Sequence, residues 1–201
     1  MEEKYNAGLM SQSFWFVEFK KIVLLKKKGA DYDEIKRQCI EENLFGAVNP
    51  YREKRMCGYL LTRLKSMDEG LTEIFVNADV PAQKLINLIA VVNTNRLFFE
   101  FLYEVYRNKI IIGDNSVDLK DVNIFFAQKE SQSSDIASWN DTTKKRLRSL
   151  FLNFLTESDM LKWADDKKQK RVINRVFIPA DLENYLKSTN MSLYKAIAGV
   201  N

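Results

Sequence analysis

The chain has 201 residues, 46% apolar and 12% aromatic, which is enough to bury a core without disulfide or metal staples. Histidine is absent, which removes the commonest general base near neutral pH, the commonest zinc ligand and every imidazole-dependent triad. Residues 1–70 hold 13 basic and 11 acidic side chains, residues 71–135 hold 6 and 9, and residues 136–201 hold 12 and 7, so the positive charge collects at the ends, mainly the C-terminal one.

Only seven Gly and three Pro interrupt the helical periodicity, and strand signals are confined to the C-terminal third, so the expected fold is mostly α. The N-terminus opens with acidic residues and reaches its aromatic cluster, Phe14 to Phe16, late and briefly, so no cleavable leader is expected. A first helix is predicted over about residues 13–28, with Trp15, Phe19, Ile22 and Val23 on its buried stripe and Gly29 ending it. Asp31 stands three residues before Glu34 in capping-box spacing, and Tyr32, Ile35 and Cys39 face inward from a short second helix. A turn at Asn43 to Gly46 leads to Asn49 and Pro50, an N-cap and first helical position for a third helix that buries Met56, Leu60, Leu64 and Met67. Cys39 and Cys57 both fall in helices and read as small apolar core residues rather than thiols with chemistry to do.

In the middle, Asp79 and Pro81 start a helix carrying Leu85, Leu88, Ile89 and Val92, and a following helix carries Leu97, Phe98, Phe101, Leu102 and Val105. This pair is expected to form the central core. The longest charge-free apolar run, Leu85 to Val92, is far short of the ~20 residues that cross a bilayer, so a cytoplasmic protein with no membrane contact is expected. Gly113 to Ser116 marks a joint, dividing the chain into residues 1–112, an N-terminal helix-turn-helix-like unit with the central core, and residues 113–201. Val122, Phe125 and Phe126 mark a further helix, and Ser131 to Ser134 a loop or break.

Two stretches carry candidate chemistry. Three short helices ending in the one after Pro50 have the outline of a helix-turn-helix, whose last helix would present Arg52, Arg55, Tyr59 and Arg63 as one stripe at i, i+3, i+7 and i+11. Such a stripe suits phosphates or base edges. Equally, Glu41, Glu42 and Glu53 stand near enough to neutralise it as an ordinary solvated face.

The C-terminal stretch is stronger. Asn140 and Asp141 cap a helix over about residues 142–158, with Leu147, Leu150, Phe151 and Phe154 inward and Thr142, Lys145, Arg146, Ser149, Asn153 and Thr156 outward. Lys144, Lys145, Arg146 and Arg148 crowd its first two turns, where the helix dipole disfavours cations by ~0.3 to 1 kcal/mol each and a docked polyanion would relieve them. A turn and the strand-like run Val172, Ile173, Val176, Phe177 and Ile178 follow, so helix plus hairpin describe a winged helix. Lys167, Lys168, Lys170, Arg171 and Arg175 would rest its wing on the phosphate backbone, although lysines guarding a hairpin edge would look alike.

Lys4 to Leu9, then Ser13, Phe14, Trp15, Phe16, Glu18 and Phe19, followed by Glu41 to Phe45, Arg96 to Phe101, and Glu104, Val105 and Tyr106, resemble the BrxA family of bacteriophage-exclusion (BREX) defence systems over most of the chain. The resemblance implies a helical bundle similar to the NusB fold, with helix-turn-helix-like parts and affinity for double-stranded DNA. It carries no catalytic motif and no cofactor. The expected function is a non-catalytic DNA-binding accessory protein. The alternatives are an assembly subunit that contacts other BREX proteins, with Tyr5, Trp15 and Phe16 as candidate anchors that more readily fit the protein's own core, and an RNA binder by fold analogy. An enzyme fits least, because Asp165 and Asp166 sit among basic residues at a turn with no convergent metal-binding carboxylates.

Overall fold

The computed structural model describes residues 4–167 and 170–201, mostly helical with one two-stranded antiparallel sheet. The chain folds as two compact units, one spanning Phe14–Thr94 and the other joining the N-terminal stretch through Ser13 to Asn95–Asn201. This differs from the division expected at Gly113. Gly113 does turn the chain, with φ +79°, but within one unit, and the two apolar central helices fall into different units.

The unit of residues 14–94 contains α1 (Phe16–Lys27), α2 (Tyr32–Glu41), α3 (Pro50–Lys65), α4 (Glu69–Asn77) and α5 (Val80–Val92). Asp31, Asn49, Asp68 and Asp79 each accept a hydrogen bond from the amide three residues on, the bond that satisfies an orphan donor at a helix start. α4, which was not among the expected helices, is set by the Asp68 cap and buries Leu71 and Phe75; the Phe75 ring meets Phe19 edge-on at 5.7 Å.

α1 is the exception, since no side chain caps it. It starts later than expected because Trp15 adopts left-handed backbone angles, φ 48° and ψ 47°. That conformation costs a non-glycine residue on the order of 1 kcal/mol or more, and surrounding contacts must hold it. Here the Phe14 carbonyl accepts from both Arg63 Nη1 at 2.7 Å and Asn87 Nδ2 at 2.9 Å, with all three residues buried. The Arg63 guanidinium also lies 5.7 Å from the Trp15 ring centre, and Tyr59 stacks on the same ring at 6.3 Å.

The second unit contains a short 3-10 turn (Gly8–Ser11) and a continuous helical run made of α6 (Arg96–Phe101), a π-turn (Leu102–Tyr106) and α7 (Arg107–Ile111). There follow α8 (Leu119–Gln132), α9 (Ser134–Ala137), α10 (Asp141–Glu157), strands β1 (Leu161–Trp163) and β2 (Arg171–Ile173), α11 (Ala180–Thr189) and α12 (Met191–Ala198). Asp118 and Asp121 form a reciprocal capping box at the start of α8. The core is aromatic: Phe151 of α10 lies 4.7 Å from Phe98, 5.3 Å from Phe101 and 5.5 Å from Phe126, ring centre to ring centre. α11 and α12 were likewise not expected. α12 packs on the π-turn, and its end approaches so closely that a Cβ at Gly199 would stand 2.5 Å from Ile110, at a backbone φ of +67°.

The N-terminal segment is fastened by a partly buried charge network. Tyr5 donates to Glu100, Arg96 lies 4.3 Å over the Tyr5 ring and pairs with Glu100 at 2.7 Å, and Lys129 bridges Glu100 at 2.7 Å and Glu104 at 2.6 Å. Tyr5 and Trp15, candidate anchors for a partner that more readily fitted the protein's own core, are thus engaged inside their own units.

Both clamps should register in stability. Arg63→Ala, which removes a buried charge-assisted bond and opens a cavity, should destabilise by about 3–5 kcal/mol in chemical denaturation, whereas a surface arginine would cost under ~0.5 kcal/mol. Burial raises the pKa of Glu100, but hydrogen bonds from Lys129, Arg96 and Tyr5 outweigh it and hold the carboxyl below its ordinary value. A depressed carboxyl stabilises the fold above its unfolded pKa of ~4.3 and loses that contribution as pH falls through the folded value. Glu100→Gln should therefore be about 2 kcal/mol less stable at neutral pH, with the gap narrowing in acid; a pH-independent gap would contradict the assignment.

Candidate nucleic-acid interface

α10 displays its outer face on a rigid base, because Leu147, Leu150, Phe151, Phe154 and Leu155 are buried beneath it. Asn140 accepts the Thr143 amide at 2.8 Å and fixes the start. Thr142, Lys145, Arg146, Ser149 and Asn153 lie on the outer face as the periodicity predicts, with Lys145 and Arg146 exposed. Arg146 donates to the Met10 carbonyl at 3.3 Å, and no ion pair holds Lys145 among the described residues.

Two of the four crowding cations turn inward. Lys144 is 8% exposed, pairs with Glu130 at 3.0 Å and donates to the Ala137 carbonyl at 3.1 Å. Arg148 reaches the same carboxylate at 3.2 Å and lies 5.2 Å from the Phe126 ring centre. Their placement is thus explained by an internal partner, Glu130 of α8, and neither belongs to an outward site. That partner is fourteen and eighteen residues away in sequence, beyond any helical spacing.

The hairpin pairs Leu161 with Ile173, Lys162 with Val172 and Trp163 with Arg171. β2 stops at Ile173, short of the expected run to Ile178; the Asn174 amide still donates in register to the Met160 carbonyl at 2.9 Å, but Asp159, the next residue on the facing side, has φ +64° and turns that side away from an extended strand. Arg171 does not reach outward as expected. It stacks 3.9 Å over Trp163 and donates to Asn153 at 3.0 Å and Thr156 at 3.1 Å, and burial lowers its pKa. Arg171 and Asn153 therefore satisfy one another and hold the hairpin on the C-terminal half of the polar face of α10. Lys167, Lys170 and Arg175 are exposed; Lys168 lies outside the described residues.

On α3 the expected stripe divides. Arg52 and Arg55 are exposed, but Tyr59 is half-buried on Trp15 and Arg63 is fully buried at the Phe14 carbonyl, which removes the last from any surface. The carboxylates that stood near enough to neutralise the stripe act elsewhere. Glu41 and Glu42 pair with Arg37 at 3.4 and 3.1 Å, while buried Glu53 accepts the amides of Phe45 at 2.9 Å and Ala47 at 3.3 Å. Further exposed candidates, outside the expected set, are Tyr51, Lys54, Lys162 and Phe177. Tyr51 sits in the first turn of α3 beside the stripe rather than on it, and Phe177, read in sequence as part of a strand, follows β2 outside any regular element.

Among the described residues no group of three or more Cys, Asp and Glu could hold a metal, and no single helix is long and apolar enough to cross a membrane. The BrxA family profile matches residues 3–190. The chain belongs to the BrxA family. A relative described as BREX protein BrxA, from Bacillus cereus (strain H3081.97), is 33% identical over 98% of this chain and 96% of its own length. This BrxA-family fold also matches a crystal structure of an uncharacterized protein from Magnetospirillum magneticum, with TM-score 0.80 and 20% identity, over 98% of this chain and all of that one. At that identity the likeness shows the fold alone.

The division of cations can be tested directly. Lys144→Met should lower stability by about 1–3 kcal/mol, because Glu130 is left short of a partner and the Ala137 carbonyl loses its donor. Lys145→Ala, one residue on but facing solvent, should stay within ~0.5 kcal/mol of the wild type. Equal effects in thermal denaturation would contradict the inward assignment.

Proposed function

We propose that this BrxA-family protein is a non-catalytic, DNA-binding accessory component of BREX anti-phage defence, holding duplex DNA mainly through its phosphates. One observation carries the reading: after the internally paired cations are set aside, exposed cations without ion pairs remain in each unit among the described residues. Of the residues expected to touch phosphate, these are Arg52 and Arg55 in one, and Lys145, Arg146, Lys167, Lys170 and Arg175 in the other. Such cations gain by displacing the condensed counterions of a polyanion, which binds them without any requirement for base sequence. On α10, exposed Thr142 stands one turn before Lys145 and adds a neutral donor for phosphate oxygens.

A second reading, an assembly subunit for other BREX proteins, is favoured by a different surface. Ile112 and Ile124 are 75% and 50% exposed and line one shallow hollow with Glu104, Lys109 and Asp121. An apolar patch with a charged rim suits a protein partner better than a phosphate chain.

Binding of a duplex oligonucleotide, followed by anisotropy from about 50 to about 200 mM salt, separates the readings. With about five phosphate contacts, affinity should fall roughly 10²–10³-fold across that range. Lys145→Ala and Lys167→Ala should each reduce the logarithmic salt slope by about one. Structured RNA should compete less well than duplex DNA. Absent or salt-insensitive binding would reject the proposal and leave the assembly reading.

A further inference from the structure

The segment between β2 and α11 has the marks of a built contact. Residues 174–179 belong to no helix or strand, yet both ends are tied down. At one end Asn174 donates its amide to the Met160 carbonyl at 2.9 Å and its side-chain Nδ2 to the Asp159 carbonyl at 2.6 Å. At the other, the Pro179 carbonyl accepts the Glu183 amide at 2.8 Å to begin α11, which is docked through buried Leu182 and Leu186. Ile178 precedes a proline, which biases it to extended backbone. Exposure alternates along the strap: Arg175 and Phe177 are exposed, Val176 and Ile178 half-buried. In an extended chain this period of two places Arg175 and Phe177 on one side, roughly 7 Å apart.

Phe177 is 81% exposed and stands two residues from Arg175, which is exposed and in no ion pair among the described residues. A single exposed apolar residue is ordinary on any surface. The sequence leading to it is strongly basic: residues 162–175 hold six cations against two carboxylates; of the cations, Arg171 is engaged on Trp163 and α10, and Lys168 lies outside the described residues. An apolar protein partner covering the ring would have to desolvate Arg175 with nothing in return. A nucleotide meets both groups at once, offering a π-face to the ring and a phosphate to the guanidinium.

We infer that Phe177 is a base-stacking residue, with Arg175 holding the adjoining phosphate, and that it engages a base unstacked from the duplex, as at an unpaired or distorted position in DNA. This rests on the DNA-binding reading above and adds to it a preference that phosphate contacts alone do not produce.

The test uses the full chain and two duplexes of about 20 base pairs, one fully paired and one with a single unpaired 2-aminopurine. The wild type should bind the second about tenfold more tightly and quench its fluorescence. Phe177→Ala should lose that preference to within about twofold and lose the quenching, while its affinity for the paired duplex, its salt slope and its melting temperature stay unchanged; Phe177→Trp should retain both. Salt-dependent wild-type binding without the preference, or a preference that survives in Phe177→Ala, overturns the stacking role and leaves phosphate binding standing. Absence of salt-dependent binding to either duplex overturns both.

Discussion

A positive charge taken out of water must be met by oxygen atoms of the same fold, and among the described residues three cations, Arg63, Lys129 and Lys144, are buried. Each has a distinct oxygen partner: the Phe14 carbonyl, the Glu100 and Glu104 carboxylates, and Glu130 with the Ala137 carbonyl. These contacts decide more than stability. They hold the left-handed turn before α1, the N-terminal segment on α6, and α8 against α10. They also determine which basic side chains remain outside, and hence what the surface can bind.

The outward set is displayed on firm supports. α10 rests on the Phe151 cluster, where aromatic pairs contribute beyond simple burial, so its exposed face has little freedom to shift with respect to the helix axis. The hairpin is tied to the same helix by Arg171, whose guanidinium uses one face on Trp163 and its donors on Asn153 and Thr156. A residue expected to touch phosphate instead positions those that remain exposed.

The exposed cations of α10 have a neutral donor beside them, and the family to which the chain belongs includes a relative described as a BREX protein. The apolar hollow at Ile112 and Ile124 is a separate surface within its unit, with acidic side chains at its rim, so a protein contact and a nucleic-acid contact need not compete for the same residues.

Sequence alone determined whatever depends on neighbours within a turn or two. The Asp31, Asn49, Asp79 and Asn140 caps, the left-handed glycines at positions 29, 46 and 113, and the inward faces of α3 and α10 are local chemistry, and they appear where the residues place them. α4, α11 and α12 were lost because they are short and draw their stability from docking: Phe75 on Phe19, Leu182 and Leu186 into the core, and Gly199 against Ile110. Which lysines and arginines face out was not local at all. Helical spacing puts Arg63 in line with Arg55, and Lys144 beside Lys145, but their partners Phe14 and Glu130 come from other elements of the chain. Periodicity records the direction in which a side chain leaves its helix; only the packed unit supplies the distant oxygen that lets a charge leave water.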